Sequence, residues 1–165
     1  MKKLNLIIAL SLLSFSLASA QLSAEEKLGF PNCENLRGVW ENQIGSVMDI
    51  ITVDPIGGAI TGRYVSPQGG GPAFRQLIGW NNGAPVNESD PCSLVQNDNV
   101  KVITFTVSWG DLGSITAWTG TCRVENGIPT IHTLWHLVRP NTEFVWDHIH
   151  AGSDTFIPKF LKDDK

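Results

Sequence analysis

An apolar/polar alternation with a period of two constrains this chain more than any other feature. In "VKVITFTVSW", residues 100–109, Ile103, Phe105, Val107 and Trp109 are apolar, and Thr104, Thr106 and Ser108 lie between them. A segment of this kind is a strand with one buried face. Seven further runs read the same way: "GVWENQ", "SVMDIITV", "AITGRYVS", "RQLIGWN", "SITAWTGTC", "TIHTLWHLV" and "SDTFIPKF". Between them stand Asp-Pro-Ile-Gly-Gly, Pro-Gln-Gly-Gly-Gly-Pro, Asn-Asn-Gly-Ala-Pro and Glu-Asn-Gly, which is turn and loop chemistry. Helical periodicity is weak beyond the N-terminal stretch. The pattern predicts an all-β protein, an eight-stranded antiparallel up-and-down β-barrel, with a sandwich of the same strands as the other physical option. An eight-stranded barrel has room for one small ligand in its mouth.

The N-terminus is of another kind. Lys2 and Lys3 precede an apolar run from Leu4 to Leu17, and Ala18-Ser19-Ala20 is an A-x-A cleavage site. This predicts a secretory signal peptide over residues 1–20, cut after Ala20. Residues 21–165 are then a single barrel domain, with its core over about residues 36–160. The mature protein is expected in the periplasm or the medium. No later run approaches the roughly twenty apolar residues of a membrane span. The net charge is −4 and no basic stripe is visible, so neither nucleic acid nor membrane is expected as a partner.

Export bears on the three cysteines, Cys33, Cys92 and Cys122. In an oxidising compartment two are expected to pair, and the third is spare, pairs between chains or stays a thiol. Spacing alone does not choose the pair. The Gly/Pro-rich segment Pro67–Arg75 reads as a lid over the barrel mouth or as a plain connecting loop. The polar insertion Ala84–Asn99 reads as a solvated loop carrying Cys92. Its Asn87-Glu88-Ser89 matches a glycosylation acceptor, expected to be unused because the leader has a bacterial look. The charged tail "LKDDK" reads as frayed.

Strand parity sorts the side chains into faces. One face carries Trp40 and Asn42, then Ser46, then Tyr64 and Ser66, then Trp109. Ser114, Thr116 and Trp118 follow, then Trp135 and Leu137, and finally Asp154 and Phe156. If these faces meet, tryptophans enclose a few hydroxyls, an amide and a carboxylate. Such a set makes a poor plain core, because each buried polar group needs a partner. It makes a good small-ligand site, an apolar concavity with a few convergent polar groups.

"GVWENQIGS", "ITGRYVS", "FTVSW", "SITAWTGTC", "IHTLW" and the final "W…GSDTF" resemble, in order, the strand motifs of the avidin and streptavidin family. The resemblance runs from about Gly38 to Phe156, apart from the Ala84–Asn99 insertion. It implies a barrel that binds biotin non-covalently, with no cofactor, no metal and no reaction. Asn42, Ser46 and Tyr64 match donors to the ureido oxygen, an arrangement like an oxyanion hole. Asp154 and Ser66 match acceptors of the two ureido N–H groups, and Thr116 the hydroxyl near the thioether sulfur. Trp109, Trp118 and Trp135 match the aromatic walls, with Leu137 beside them on the inward face. Ser114 and the backbone at Gly70 match the groups that hold the valeryl carboxylate. Gln68 and Gly70 depart from the residues of the strongest binders, and Gly70 is expected to loosen the segment. Trp146 matches a tryptophan that reaches into a neighbouring subunit's site. The resemblance also implies a Cys33–Cys122 disulfide, leaving Cys92.

Oligomerisation is expected from Leu134 and Val138, apolar on the outward parity of the seventh strand. A homotetramer of dihedral symmetry is expected, with a dimer as runner-up. Two rival functions remain. One is a barrel for another small apolar ligand, or an interaction module. The other is a zinc-dependent hydrolase built on His132-x3-His136 and His148-x-His150. By parity His132 and His136 point away from the pocket, and no nucleophile–base pair or paired catalytic carboxylates stand out.

Overall fold

A computed structural model of the chain describes residues 30–68, 71–83 and 100–159. The stretch read as a signal peptide, the Ala84–Asn99 insertion with Cys92 and the tail lie outside the described residues. Eight strands follow in order: β1 (Gly38–Asn42), β2 (Val47–Val53), β3 (Ala59–Ser66), β4 (Gly71–Asn82), β5 (Lys101–Ser108), β6 (Ile115–Glu125), β7 (Ile128–Val138) and β8 (Ile149–Pro158). Each pairs antiparallel with the next, and β8 returns to β1 through Trp40↔Pro158 and Asn42↔Phe156. The sheet is a closed barrel with the up-and-down order the alternation predicts. Closure removes the unpaired edges that an open sheet would expose.

The strand limits differ from the sequence expectation at two places. β4 begins at Gly71, not Arg75, so the second half of the proposed lid segment is strand. Gly71 has φ +71°, and the register shifts between Tyr64 and Ser66, so Ser66 meets Gly71 and the ladder starts early. β8 begins at Ile149, not Ser153, because Val138↔Ile149 and Trp135↔Gly152 extend the pairing past a glycine that hides the alternation. The β6–β7 hairpin turns on Asn126 and Gly127, both at positive φ. That is the Asn-Gly signature of a tight turn whose twist matches its strands.

Inward positions at one end of the barrel are filled. Trp40, Ile60, Phe105, Ile103, Ile131 and Phe156 are all buried there, and each contributes roughly 1.5–3 kcal/mol of burial. The segment before β1 packs into the same cluster through Cys33 and Leu36. The Trp40 indole N–H donates to the Leu36 carbonyl at 2.9 Å, so the large ring is buried with its polar atom satisfied. Cys33 and Cys122 are joined by a disulfide, their Cα atoms 5.4 Å apart, as the resemblance implies. It ties the segment ahead of β1 to the filled end of β6. The opposite end of the barrel holds the polar inward residues.

Candidate ligand-binding site

The open end encloses a cavity of about 470 Å³, within the range of roughly 300–1,000 Å³ found for small-ligand pockets. Ser46 and Asp154 line it, with Tyr64 and Ser66 of β3, Thr116 and Trp118 of β6, and Trp135 and Leu137 of β7. Trp109 and Ser114, from the turn between β5 and β6, complete its wall. That turn is short because Gly113 takes φ +67° and returns its N–H to the Gly110 carbonyl at 2.7 Å. The Trp109 N–H then donates to the Ser114 carbonyl at 3.0 Å, which fixes both side chains on the cavity face.

Asp154 is the organising group. Its Oδ1 accepts from Asn42 Nδ2 at 3.0 Å and from Gln43 Nε2 at 3.1 Å. Its Oδ2 accepts from Trp118 Nε1 at 2.8 Å. Gln43 is itself held, because its Oε1 accepts from the Thr155 N–H at 2.9 Å. A carboxylate offers about four lone-pair sites, and these three bonds leave room on Oδ2 for one further donor. Asp154 itself lines the cavity, with Oδ2 bonded to the Trp118 wall. The site is therefore prepared to accept one N–H from a ligand. A buried carboxylate without such partners would be costly; here its own network satisfies it.

Next to it stands a donor cluster. Asn42 Oδ1 accepts the backbone N–H groups of Ser46, at 2.8 Å, and Ile44, at 3.2 Å, which orients the β1–β2 turn. Ser46 Oγ donates to Ser66 Oγ at 3.2 Å. Tyr64 is buried, and that burial pushes its hydroxyl pKa well above the usual tyrosine range. The Ser46 hydroxyl pulls it partly back, and the Asp154 charge pushes it further up. Tyr64 is thus held as a neutral O–H donor. Tyr64, and Ser46 once its O–H turns from Ser66, can donate to one ligand oxygen, while Ser66 is left to accept.

The walls are rigid aromatic surface. Trp118 stacks on Phe105 with centroids 4.8 Å apart, and Tyr64 meets Trp109 edge-on at 6.0 Å. Trp109 Nε1 donates to Thr116 Oγ1 at 2.8 Å, which leaves the Thr116 O–H to point elsewhere. Trp135 lies over Gly152 of the neighbouring strand. A Cβ at Gly152 would stand 2.4 Å from the Trp135 ring, so only glycine leaves the indole its place.

Of the residues singled out in the sequence, Ser46, Tyr64, Ser66, Gln68, Trp109, Ser114, Thr116, Trp118, Trp135, Leu137 and Asp154 come together around the cavity. Asn42 does not line it; it lies behind, bonded to Asp154. Trp146 is 74 % exposed, stacks on Phe144 at 4.8 Å and does not reach its own chain's cavity. Gly70 lies outside the described residues. Sequence reasoning missed Gln43, whose outward parity hid its bonds to β8 and Asp154. It also missed Ile44, Leu112, Arg139, Pro140 and Asn141 at the rim. Arg-Pro-Asn directly after a strand reads as a turn, and nothing in that triplet signals a cavity.

The histidines do not converge. His132 faces Glu125 at 3.0 Å and Thr155 at 3.1 Å on the outside, and His148 Nδ1 lies 2.7 Å from the Arg139 carbonyl. Among the described residues no three His, Cys, Asp or Glu side chains are grouped to hold a metal ion. No helix among them is long and apolar enough to cross a membrane.

The family model described as the Avidin family matches residues 30–159 of this chain. Avidin-related protein 4/5 of Gallus gallus is 29 % identical over 156 residues, covering 91 % of this chain and 90 % of the relative. The crystal structure of Xenavidin superposes with a TM-score of 0.57 at 28 % identity, covering 78 % of this chain and 100 % of that one.

Proposed function

We infer, from the premise that this chain belongs to the avidin family, that it binds biotin non-covalently in the open end of its barrel. The single observation that carries the reading is the Asp154 network. It leaves one acceptor position facing a tryptophan-walled cavity, beside the hydroxyls of Ser46, Tyr64 and Ser66. A cyclic urea needs this complement: one carbonyl oxygen to receive donors and N–H groups to give. Asp154 and Ser66 accept the two N–H groups, while Ser46 and Tyr64 donate to the oxygen, with Asn42 behind them. Thr116 meets the sulfur, Trp109, Trp118 and Trp135 enclose the rings and chain, and Ser114 meets the carboxylate. Donors already held in place by the fold lose little entropy on binding, which supports tight association.

The protein is a binding protein and not an enzyme on this reading. The leader over residues 1–20 directs export, with cleavage after Ala20. Chains associate as a homotetramer. Ile115, Val138 and Ile149 form one exposed apolar row across β6, β7 and β8, and Leu134 is 66 % exposed beside it. In the assembly Trp146 fills a neighbour's site, which accounts for an indole standing in solvent on a single chain.

Isothermal titration of the mature protein with biotin tests the reading. Saturation at one biotin per chain is expected. An absence of heat at several temperatures would sink it and favour the alternative, a barrel for another small apolar ligand.

A further inference from the structure

We propose that Arg139 recognises an anionic group at the outer end of the ligand, so that the site prefers a free carboxylic acid to its amide. The proposal rests on the biotin reading and adds a specificity determinant to it. Arg139 continues β7 beyond Val138, donating its backbone N–H to the His148 carbonyl at 2.9 Å. It has the inward parity of Trp135 and Leu137 and lines the cavity. Among the described residues that do so it is the sole cation, and Asp154 is the sole anion.

The two charges stand at opposite ends. Asp154 pairs across the sheet with Thr133, and from Thr133 to Arg139 runs about 20 Å of strand, which the long arginine side chain spans in part. A ligand lying along this axis meets an acceptor at its inner end, aromatic walls in the middle and a cation at its outer end.

The guanidinium is also held in place by a backbone carbonyl and an imidazole, with no direct carboxylate contact among the described residues; the Asp147 carboxylate lies beyond His150, 3.8 Å from its Nε2. Arg139 Nη2 donates to the Asp147 carbonyl at 3.2 Å and lies against His150 Nε2, which accepts when the imidazole is neutral. The side chain is half-buried, its Nε has no hydrogen-bond partner, and among the described residues no carboxylate pairs with it. A part-buried cation without a direct counter-ion is costly, and an anionic ligand group offsets that cost. Arg75 has an unpartnered buried Nε as well and shares the inward face with Tyr64. It does not line the cavity, and its guanidinium lies against Gly110. The assignment therefore falls on Arg139. The β6–β7 register, in which Ile115 meets Val138, brings Ser114 alongside, and Asn141 joins it at the rim. Both add neutral donors for the same group.

The test compares biotin with its primary amide, biotinamide, on the wild-type chain, Arg139→Gln and Arg139→Lys, with a thermal melt of each. Wild type is expected to prefer the acid by roughly tenfold or more, the scale of a hydrogen bond between charged groups. In Arg139→Gln the acid-to-amide ratio should fall close to one, and Arg139→Lys should keep part of it. Equal weakening of both ligands in Arg139→Gln would mean that the arginine only shapes the rim, and would overturn the proposal. An unchanged ratio would overturn it too. Failure of the wild-type chain to bind either compound would remove the biotin reading itself, and this proposal with it.

Discussion

The Trp118 indole donates to Asp154 Oδ2 at 2.8 Å, so the aromatic wall of the cavity and the carboxylate at its base are one hydrogen-bonded unit. Asp154→Ala removes the acceptor and leaves the buried donors of Trp118 and Asn42 without their partner, while exposed Gln43 keeps its bond to the Ser153 carbonyl. Each orphaned buried donor costs about 1–3 kcal/mol. Thermal unfolding should fall measurably, and ligand affinity should drop at least tenfold beyond any change in folding. Calorimetric melts and titrations on the same preparation check both.

Tyr64 is the one tyrosine of the chain, so its titration can be read without interference. Its folded pKa is raised by burial, whereas the unfolded value is near 10. The sign follows: the stabilisation is fully present below about pH 10 and is lost as pH rises toward the folded pKa. Ultraviolet absorbance of the native protein should show no phenolate until the barrel unfolds. A reversible phenolate signal from folded protein near pH 10 would contradict the burial of this hydroxyl.

Strands and faces were legible because the chain alternates so regularly. The period of two identified β5 and β6, and parity put Ser114, Thr116 and Trp118 on one inward face. Parity gives the face but not the depth. Asn42 and Ser46 both point inward, yet Asn42 lies behind the cavity and Ser46 lines it. Glycine hid two strand starts, at Gly71 in β4 and before Gly152 in β8, because it carries no side chain to mark a face. Arg139 was invisible for a different reason: it works from the first residue after a strand, where sequence patterns register only a turn.

Gly152 is predicted to be intolerant of a methyl group. Gly152→Ala places a Cβ against the Trp135 ring, and overpacking of this kind costs about 1–3 kcal/mol. The indole must move into the cavity or out of it. Weaker ligand binding with altered tryptophan emission is expected, with the barrel's far-ultraviolet circular dichroism retained.

The Cys33–Cys122 bond closes a loop with a sequence separation of 89. In the chain-entropy model a loop of that size contributes about 4–5 kcal/mol. Cys33→Ser with Cys122→Ser should lower the melting temperature strongly while leaving the cavity residues in place, since the bond sits at the filled end. Saturating ligand should restore part of the loss by mass action. A double variant as stable as wild type would show that the N-terminal segment is anchored by packing alone.

Trp146 and the apolar row of Ile115, Val138 and Ile149 belong to the proposed tetramer. Light scattering of the mature protein should give four times the chain mass. Trp146→Ala should speed ligand dissociation without lowering the melting point of the isolated barrel. A monomer at micromolar concentration would leave both features without a role.

A crystal structure of the mature protein with biotin tests the central claim most directly. The account predicts one ligand in each cavity, its ureido N–H within hydrogen-bond distance of Asp154 Oδ2 and its rings between Trp109, Trp118 and Trp135. Its carboxylate should point toward Ser114 and Arg139. A ligand bound in the reverse sense, or density outside a cavity that stays empty, would contradict it.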